Sequence, residues 1–263
     1  METIRLESEI ALLKQEIIDL KNSNRSEKNR ELCQATAAPT EMRSRAFTPL
    51  AERHCNICKY FGFFEAQGTR LDALCPKCGS LERQRLLMLN MQRGAIPKLS
   101  DQNATVLHFA PEKIFEAIFR QFYKNYKTAD LFQKADLSLN IEEIDIESES
   151  YDVVIANHVL EHVDDFKASV ELSRILKNNG VLVCTVPIVE GFDKTYENNE
   201  VNGERDRLLH YGQSDHLRLY GKDFRDRIAS GGFVLEHEFT AQGEDVIHYA
   251  LLAGEKVFVF RKI

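Results

Sequence analysis

From Ala104 onward, short apolar runs alternate with segments of helical periodicity. Strands are predicted at 105–109, 126–129, 151–156 and 181–186, and helices at 111–123 and 166–176. Strands that alternate with helices form parallel β-α-β units, so the pattern predicts an α/β fold with a doubly wound sheet. Such a sheet binds ligands outside the carboxyl ends of its strands. Functional residues are therefore expected immediately after each strand.

The composition excludes several classes of protein. The 263 residues include 43% hydrophobic and 29% charged side chains, which is typical of a globular chain and not of collagen-like or low-complexity sequences. The longest predominantly apolar run, 181–189, contains Pro187 and is shorter than the roughly 20 residues of a membrane-spanning helix. The first ten residues include three glutamates, which do not fit a secretory signal. We therefore expect a cytoplasmic chain without a membrane span.

The net charge of −7 is unevenly distributed. Residues 41–99 contain 10 Lys/Arg and 5 Asp/Glu, whereas residues 100–263 contain 18 Lys/Arg and 29 Asp/Glu. An acidic body repels a phosphate backbone, so the larger part of the chain disfavours nucleic acid as a partner. The smaller basic segment could still contact an anion.

Residues 1–24 contain no glycine or proline, and their apolar positions follow a heptad repeat. Isoleucine occupies position a and leucine position d, while glutamates at g would face lysines at e of a parallel partner. The pattern predicts a coiled-coil helix that joins two chains as a homodimer. An amphipathic helix docked on its own chain is the alternative. Polar and small residues at 25–52 predict a linker.

Four cysteines form two C-x2-C pairs, Cys55 with Cys58 and Cys75 with Cys78. This spacing is typical of two knuckles that bring four thiolates to one tetrahedral Zn²⁺. Four cysteine ligands occupy all four coordination positions of the zinc and leave none for a substrate or water, so the predicted role of the zinc is structural. The alternatives are two disulfides, which a cytoplasmic chain disfavours, or a redox-active Cys-x-x-Cys, which needs only one pair.

Residues 53–100 are predicted as one zinc-binding module with a helix after its second cysteine pair. Segments 60–64 and 71–74 are expected to pair as a hairpin. Arg83 and Arg85 lie in the first turns of the helix. They are expected either to be solvated or to contact an anionic group of a substrate or cofactor.

The order and spacing of residues from about 103 to 263 resemble the class I S-adenosylmethionine-dependent methyltransferases, particularly those that act on small molecules. The similarity is strongest in YDVVIANHVLEHVDD at 151–165 and in ILKNNGVLVCTVP at 175–187. In that family the first segment is the fourth strand with the loop beside the sulfonium. The resemblance implies a Rossmann-like sheet with an antiparallel last strand over 101–263, S-adenosylmethionine as cofactor, and methyl transfer.

The resemblance also implies which residues contact the cofactor. Asp130 matches the acid that binds the ribose hydroxyls, and Asp136 matches the acid near the adenine amino group. Asn157 and His158 match residues that face the methionine end and the substrate. The implied cofactor-binding residues are His108, Phe109, Ala110, Glu112, Asp130, Leu131, Asp136, Leu137, Asn157 and His158.

The first motif departs from the family pattern. The family usually has an acid followed by a Gly-x-Gly turn, whereas this chain has His108-Phe-Ala-Pro-Glu112 without glycine. Ala110 is small enough to allow a fairly close approach of the cofactor. This variant, with the preceding Cys-x-x-Cys-Gly-Ser-Leu-Glu-Arg segment, is similar to a subgroup of bacterial methyltransferases.

The segment 187–226, after the fifth strand of the family pattern, is expected to build the acceptor site. It is rich in His, Tyr and Arg, and reactive residues favour loops on a rigid scaffold. His216, oriented by Asp215, is the first candidate for general base, and His158 is the second. The candidates for binding the acceptor are Tyr196, Arg205, His210, Tyr211 and Arg218.

The sequence therefore predicts an enzyme that transfers a methyl group to a hydroxyl of a small molecule or glycan. One alternative is an RNA base methyltransferase whose zinc module binds the substrate. The acidic body disfavours it, as does the absence of the Asn/Asp-Pro-Pro-aromatic tetrad of amino-methylating enzymes. The other alternative is a noncatalytic scaffold, which only the missing glycines support.

Overall fold

In the computed structural model, which describes residues 51–263, two small sheets flank the cysteine pairs. Strands β1 (Arg53–His54) and β2 (Phe61–Gly62) pair antiparallel around the first cysteine pair. Strands β3 (Glu65–Gln67) and β4 (Arg70–Leu74) form a second sheet. The predicted hairpin therefore forms, with its turn at Gly68, but its first strand is Glu65–Gln67 and not 60–64, because Phe61 and Gly62 pair with β1.

The predicted coiled coil at 1–24 lies outside the described residues, and so does nearly all of the predicted linker at 25–52. Residues 51–65 and 72–263 form one compact unit. Within 51–263, no helix combines the length and the apolar character that crossing a membrane requires.

Helix α1 (Glu82–Gln92) precedes a central sheet of six strands. The strands are β5 (Thr105–Phe109), β6 (Asn125–Ala129), β7 (Tyr151–Asn157), β8 (Leu176–Thr185), β9 (Phe233–Thr240) and β10 (Lys256–Lys262). Their order is β6-β5-β7-β8-β10-β9. The first four are parallel to one another, and β10 is antiparallel to both β8 and β9. This order confirms the predicted Rossmann-like sheet with an antiparallel last strand.

Helices connect the strands. They are α2 (Lys113–Phe122), α3 (Asp165–Ile175), α4 (Glu204–Tyr211), α5 (Phe224–Ala229) and α6 (Glu244–His248). A short 3-10 helix, Leu160–His162, follows β7. Helix α3 ends at Ile175 and β8 starts with the next residue, several residues before the predicted strand. Asn179 takes a left-handed conformation, with φ of 60°, inside the early part of this extended segment.

The central strands send alternate side chains into two hydrophobic cores. Leu107 and Leu182 pack in one core with α3 and α5. Val106 and Val183 pack in the other core with α1 and α2. Helix α1, predicted as part of the zinc module, therefore packs in the same core as α2.

Arg85 ties the cysteine module to the sheet. Its side chain is fully buried, and its guanidinium donates hydrogen bonds to the carbonyl oxygens of Ser80, Ala73, Tyr249 and Ala250. Burial lowers the pKa of Arg85, and the four carbonyl acceptors offset part of the cost of burying its charge. Arg85 is therefore a structural residue that is neither solvated nor open to a ligand.

Replacing Arg85 with methionine keeps an aliphatic chain but removes the hydrogen bonds that the guanidinium donates to four carbonyl groups. We expect Arg85→Met to lower the free energy of unfolding by about 3 kcal/mol or more. Half-exposed Arg93, which pairs with Asp245 at 2.7 Å, is the matched control. Arg93→Met should cost less than about 1 kcal/mol. Urea denaturation measures both values, and equal losses would contradict the structural role of Arg85.

Candidate active site

A cavity of about 480 Å³ opens at the carboxyl ends of β5, β6 and β7. Ala110 follows β5, Asp130 follows β6 and His158 follows β7, and all three line the cavity. Of the other residues predicted to bind the cofactor, Phe109 and Leu131 also line it. The cavity thus lies where an open parallel sheet binds its ligands.

The turn after β5 has a backbone conformation that glycine usually supplies. Ala110 has a φ of 44°, and its N–H donates to the carbonyl oxygen of Ala129 at 2.9 Å. His158 has a φ of 52° at the end of β7. A left-handed conformation costs a residue with a side chain about 1–2 kcal/mol, and such strain is concentrated at ligand sites. The chain therefore makes a left-handed turn at this position although it lacks the family's glycines.

Asp130 presents a carboxylate at the cavity. Its Oδ1 atom accepts hydrogen bonds from the N–H groups of Phe132 and Gln133, both at 2.7 Å. Within the part of the chain that the structure describes, its Oδ2 atom accepts none. The two backbone bonds orient the carboxylate, and the second oxygen can accept hydrogen bonds from a ligand's hydroxyl groups.

Asp136 and Leu137, predicted to contact the cofactor, do not line the cavity. The Asp136 carboxylate accepts a hydrogen bond from the Thr128 N–H at 2.9 Å and pairs with Arg120 at 2.9 Å. Leu137 forms an isolated parallel bridge to β6. These contacts hold the segment beside β6, and residues 139–141 line the cavity in its place.

His108, Glu112 and Asn157, also predicted to contact the cofactor, bond to one another instead of lining the cavity. Fully buried His108 lies 2.8 Å from the Tyr126 hydroxyl and 3.2 Å from Glu112 Oε2, which also accepts from Asn157 at 3.5 Å. Burial opposes ionisation of Glu112, but His108 and the charge of Arg83 hold its pKa below the ordinary value. These residues place a carboxylate and a guanidinium near the start of α2.

The turn after β7 gathers three imidazoles around one carboxylate. Glu161 is fully buried, and within residues 51–263 neither of its carboxylate oxygens receives a hydrogen bond. His158 Nδ1 lies 3.2 Å from Glu161 Oε1, close enough for an ion pair but without hydrogen-bond alignment. The rings of His162 and His216 meet edge to face at 4.8 Å. One ligand atom from each of Glu161, His162 and His216 lies within 4.8 Å of the others.

Asp215 contacts His162 most closely, so the predicted Asp215–His216 pair is wrong. The Asp215 Oδ2 atom is 3.3 Å from His162 Nδ1, and both residues line the cavity. His216 is 8% exposed and does not line the cavity, and burial lowers its pKa. The reason is local, because the Leu217 N–H donates to the Glu161 carbonyl at 2.9 Å and holds this segment against the turn after β7.

Four of the predicted acceptor-binding residues lie away from the cavity. The Tyr196 hydroxyl lies 2.7 Å from His210 Nδ1, the Tyr211 ring packs beside both, and Arg205 is exposed. Arg207 of α4 lines the cavity instead. Residues two apart in a helix point in different directions, so Arg205 cannot share that position.

Arg218, the fifth predicted acceptor-binding residue, anchors the turn after β7. It is buried and donates to the carbonyl oxygens of Leu160 at 3.0 Å and Val163 at 2.6 Å. Its Nε atom donates to Glu197 at 3.0 Å. The Tyr220 hydroxyl donates to the Leu160 carbonyl at 2.9 Å. Arg218 therefore supports the site from within the protein and is not available to an acceptor.

The four cysteines converge as thiols without a disulfide. The Sγ atoms of Cys55 and Cys78 are 3.6 Å apart, as are those of Cys58 and Cys75. With Zn–S bonds of about 2.3 Å, the sulfur atoms of a tetrahedral site are about 3.8 Å apart, so the four thiols can hold Zn²⁺. Burial opposes ionisation of Cys55, but the N–H groups of Cys58 and Ile57 help to lower its pKa to about 7.

Several residues that line the cavity were not predicted, among them His162 and Arg207. The sequence held a signal for His162, because His158, Glu161 and His162 follow the i, i+3, i+4 spacing that gathers side chains on one side of a helical turn. Arg207 had no comparable signal. Its position depends on the orientation of α4.

Residues 96–184 match the protein family described as "Methyltransferase domain". A comparison with curated proteins gave no match.

Several solved structures are similar to this chain. For 1,6-didemethyltoxoflavin-N1-methyltransferase of Burkholderia thailandensis, the sequence identity is 12%, the match covers 68% of this chain and 86% of that chain, and the TM-score is 0.45. An S-adenosylmethionine-dependent methyltransferase of Mesorhizobium loti is 11% identical, with 65% of this chain and 98% of that chain covered and a TM-score of 0.45. The YcgJ protein of Bacillus subtilis is 12% identical, with 68% and 97% covered and a TM-score of 0.45.

The sheet order places β10 antiparallel between β8 and β9, and the cavity lies at the carboxyl ends of the parallel strands. The family match over 96–184 spans the strands β5, β6 and β7 that build this cavity. The segment 96–184 therefore matches a methyltransferase domain, and it lies within a sheet of Rossmann-like strand order.

Proposed function

We propose that the chain transfers a methyl group from S-adenosylmethionine to a hydroxyl group of a small molecule or glycan. The observation that supports this most is that apolar residues line one side of the cavity and polar residues line the other. Asp130 lies among mainly apolar residues at the end of β6, whereas His158, His162 and Asp215 lie after β7 and in the loop that contacts it. When bound, S-adenosylmethionine supplies an electrophilic methyl group and leaves as a neutral thioether.

The residues after β6 would hold the nucleoside. Asp130 offers Oδ2 to the ribose hydroxyls, and the exposed side chains of Leu131 and Phe132 offer apolar surface to the adenine.

The residues after β7 would hold the acceptor. His158 lines the cavity, and an imidazole can take a proton near neutral pH, so His158 is the proposed general base for the acceptor hydroxyl. Arg207 and the His162–Asp215 pair offer hydrogen bonds to further hydroxyl or anionic groups of the acceptor. A hydroxyl-rich molecule matches these groups.

Asp130→Asn tests the cofactor site. The amide oxygen can still accept from the N–H groups of Phe132 and Gln133, but the charge is lost. Because hydrogen bonds to charged groups contribute about 1.5–3 kcal/mol, we expect S-adenosylhomocysteine to bind about 10- to 100-fold more weakly. Isothermal titration calorimetry measures the loss, and exposed Asp145→Asn is the matched control. Equal affinities in both variants would refute the site.

Incubation with methyl-labelled S-adenosylmethionine tests the acceptor class. We expect label to enter hydroxyl-bearing small molecules or glycans, and His158→Gln to lower that rate by about 10²- to 10⁴-fold while S-adenosylhomocysteine still binds. The label is measured by mass spectrometry of the products. Label in RNA bases alone would contradict the proposal.

We also propose that Cys55, Cys58, Cys75 and Cys78 hold a structural Zn²⁺. The distances between their Sγ atoms and the N–H···S bonds to Cys55 support this. The small size of the segment supports it as well, because a segment with so small a hydrophobic core needs a metal or a disulfide to fold. The metal would stabilise the module beside α1 and take no part in methyl transfer.

Displacement by a mercurial thiol reagent tests this zinc. We expect one equivalent of zinc per chain to be released from the wild type and from Cys184→Ala, whose buried thiol lies in β8. Cys78→Ser should release none and should unfold at a lower temperature, because the site needs all four thiolates. A colorimetric chelator measures the released zinc. Equal release from both variants would count against the site.

A further inference from the structure

We propose that Glu161, His162 and His216 bind a divalent first-row transition-metal ion beside the methyl-transfer cavity. One ligand atom from each residue lies within 4.8 Å of the other two. Metal–ligand bonds of about 2.1 Å place neighbouring donor atoms roughly 3–4 Å apart. Small rotations of the three side chains would therefore bring their ligand atoms to coordination distance from one ion. This site is separate from the four cysteines.

The strongest support is a buried carboxylate that has no hydrogen-bond partner among the described residues. Glu161 is fully buried, and neither oxygen receives a hydrogen bond. The Nδ1 atom of His216 is also buried without a partner. Burying an unpaired carboxylate costs several kcal/mol, and buried charges are therefore paired or coordinate a metal. The contact with His158 at 3.2 Å lacks hydrogen-bond alignment. A cation between Glu161 and His216 would satisfy both.

His162 has the partner that a metal-binding imidazole usually has. Its Nδ1 atom hydrogen-bonds to the backbone carbonyl oxygen of Asp215 at 3.3 Å and also lies 3.3 Å from the Asp215 carboxylate. A hydrogen bond from Nδ1–H to a carbonyl or carboxylate oxygen fixes the tautomer and leaves Nε2 free to bind a metal. Arg218 and Tyr220 hold the carbonyl of Leu160 at 3.0 and 2.9 Å, and thereby fix the turn that carries Glu161 and His162.

The ligand set indicates the kind of ion. Two imidazoles and one carboxylate suit zinc, cobalt or iron, whereas calcium and magnesium prefer oxygen ligands alone. Three protein ligands leave coordination positions open, and His162 lines the cavity. An oxygen of the acceptor can fill such a position, and the ion would then lower the pKa of that hydroxyl. This role in catalysis rests on the proposed function, whereas binding of the ion does not.

Titration of the zinc-loaded full-length protein with Co²⁺ tests the site. We expect one Co²⁺ per chain to bind with the visible absorption of nitrogen and oxygen ligands, without sulfur-to-cobalt charge transfer. Glu161→Gln and His216→Ala should each lose this binding. Exposed Glu147→Gln and His237→Ala are matched controls and should bind as the wild type does.

S-adenosylhomocysteine binding, measured on the same samples, shows whether each variant is folded. Loss of Co²⁺ binding in Glu161→Gln and His216→Ala, with S-adenosylhomocysteine binding retained, supports the proposal. Absence of the added Co²⁺ site in the wild type, or unchanged binding in those two variants, overturns it and leaves the proposed function intact. Conversely, Co²⁺ binding without S-adenosylhomocysteine binding would support the metal site while refuting the proposed function.

Discussion

The cavity exists because two parallel central strands end in left-handed turns beside each other. Strands β5 and β7 pair in register up to Phe109 and Ala156, so their last residues lie at one edge of the sheet. Ala110 and His158 follow with φ of 44° and 52°. Together the two turns cost a few kcal/mol, which the buried sheet and its two cores can offset. The chain changes direction at both turns, and this leaves the space that a nucleoside and an acceptor could share.

A buried polar network supports the turn after β7. Arg218 and Tyr220 bind its carbonyl groups, and the Tyr220 hydroxyl oxygen also lies 3.1 Å from the buried carboxylate of Asp165. Asp165 in turn pairs with Arg227 at 2.7 Å. Such networks rigidify a site when all their members are satisfied. Glu161 stands out in this setting because it is buried nearby and yet lacks a hydrogen-bond partner, which is why a cation is the simplest way to complete it.

The sheet could be predicted because its strands are long apolar runs separated by helical segments, and burial of those runs requires helices on both faces. The residues just after the strands followed from the same rule, so Ala110, Asp130 and His158 were placed correctly at the cavity. Asp136 was not, because its position depends on hydrogen bonds with Thr128 that only the folded chain reveals. The loop after β8 was harder still, since Asp215 lies beside His162 and not beside its neighbour His216, an arrangement set by how this loop packs against the turn after β7.

The central claim is that the cavity between Ala110, Asp130 and His158 binds the adenosyl cofactor. A crystal structure of the protein with S-adenosylhomocysteine tests this most directly. The account predicts the ribose hydroxyls at Asp130 Oδ2 and the sulfur atom beside His158. A nucleoside bound elsewhere on the chain, or side chains filling this cavity in the complex, would contradict it.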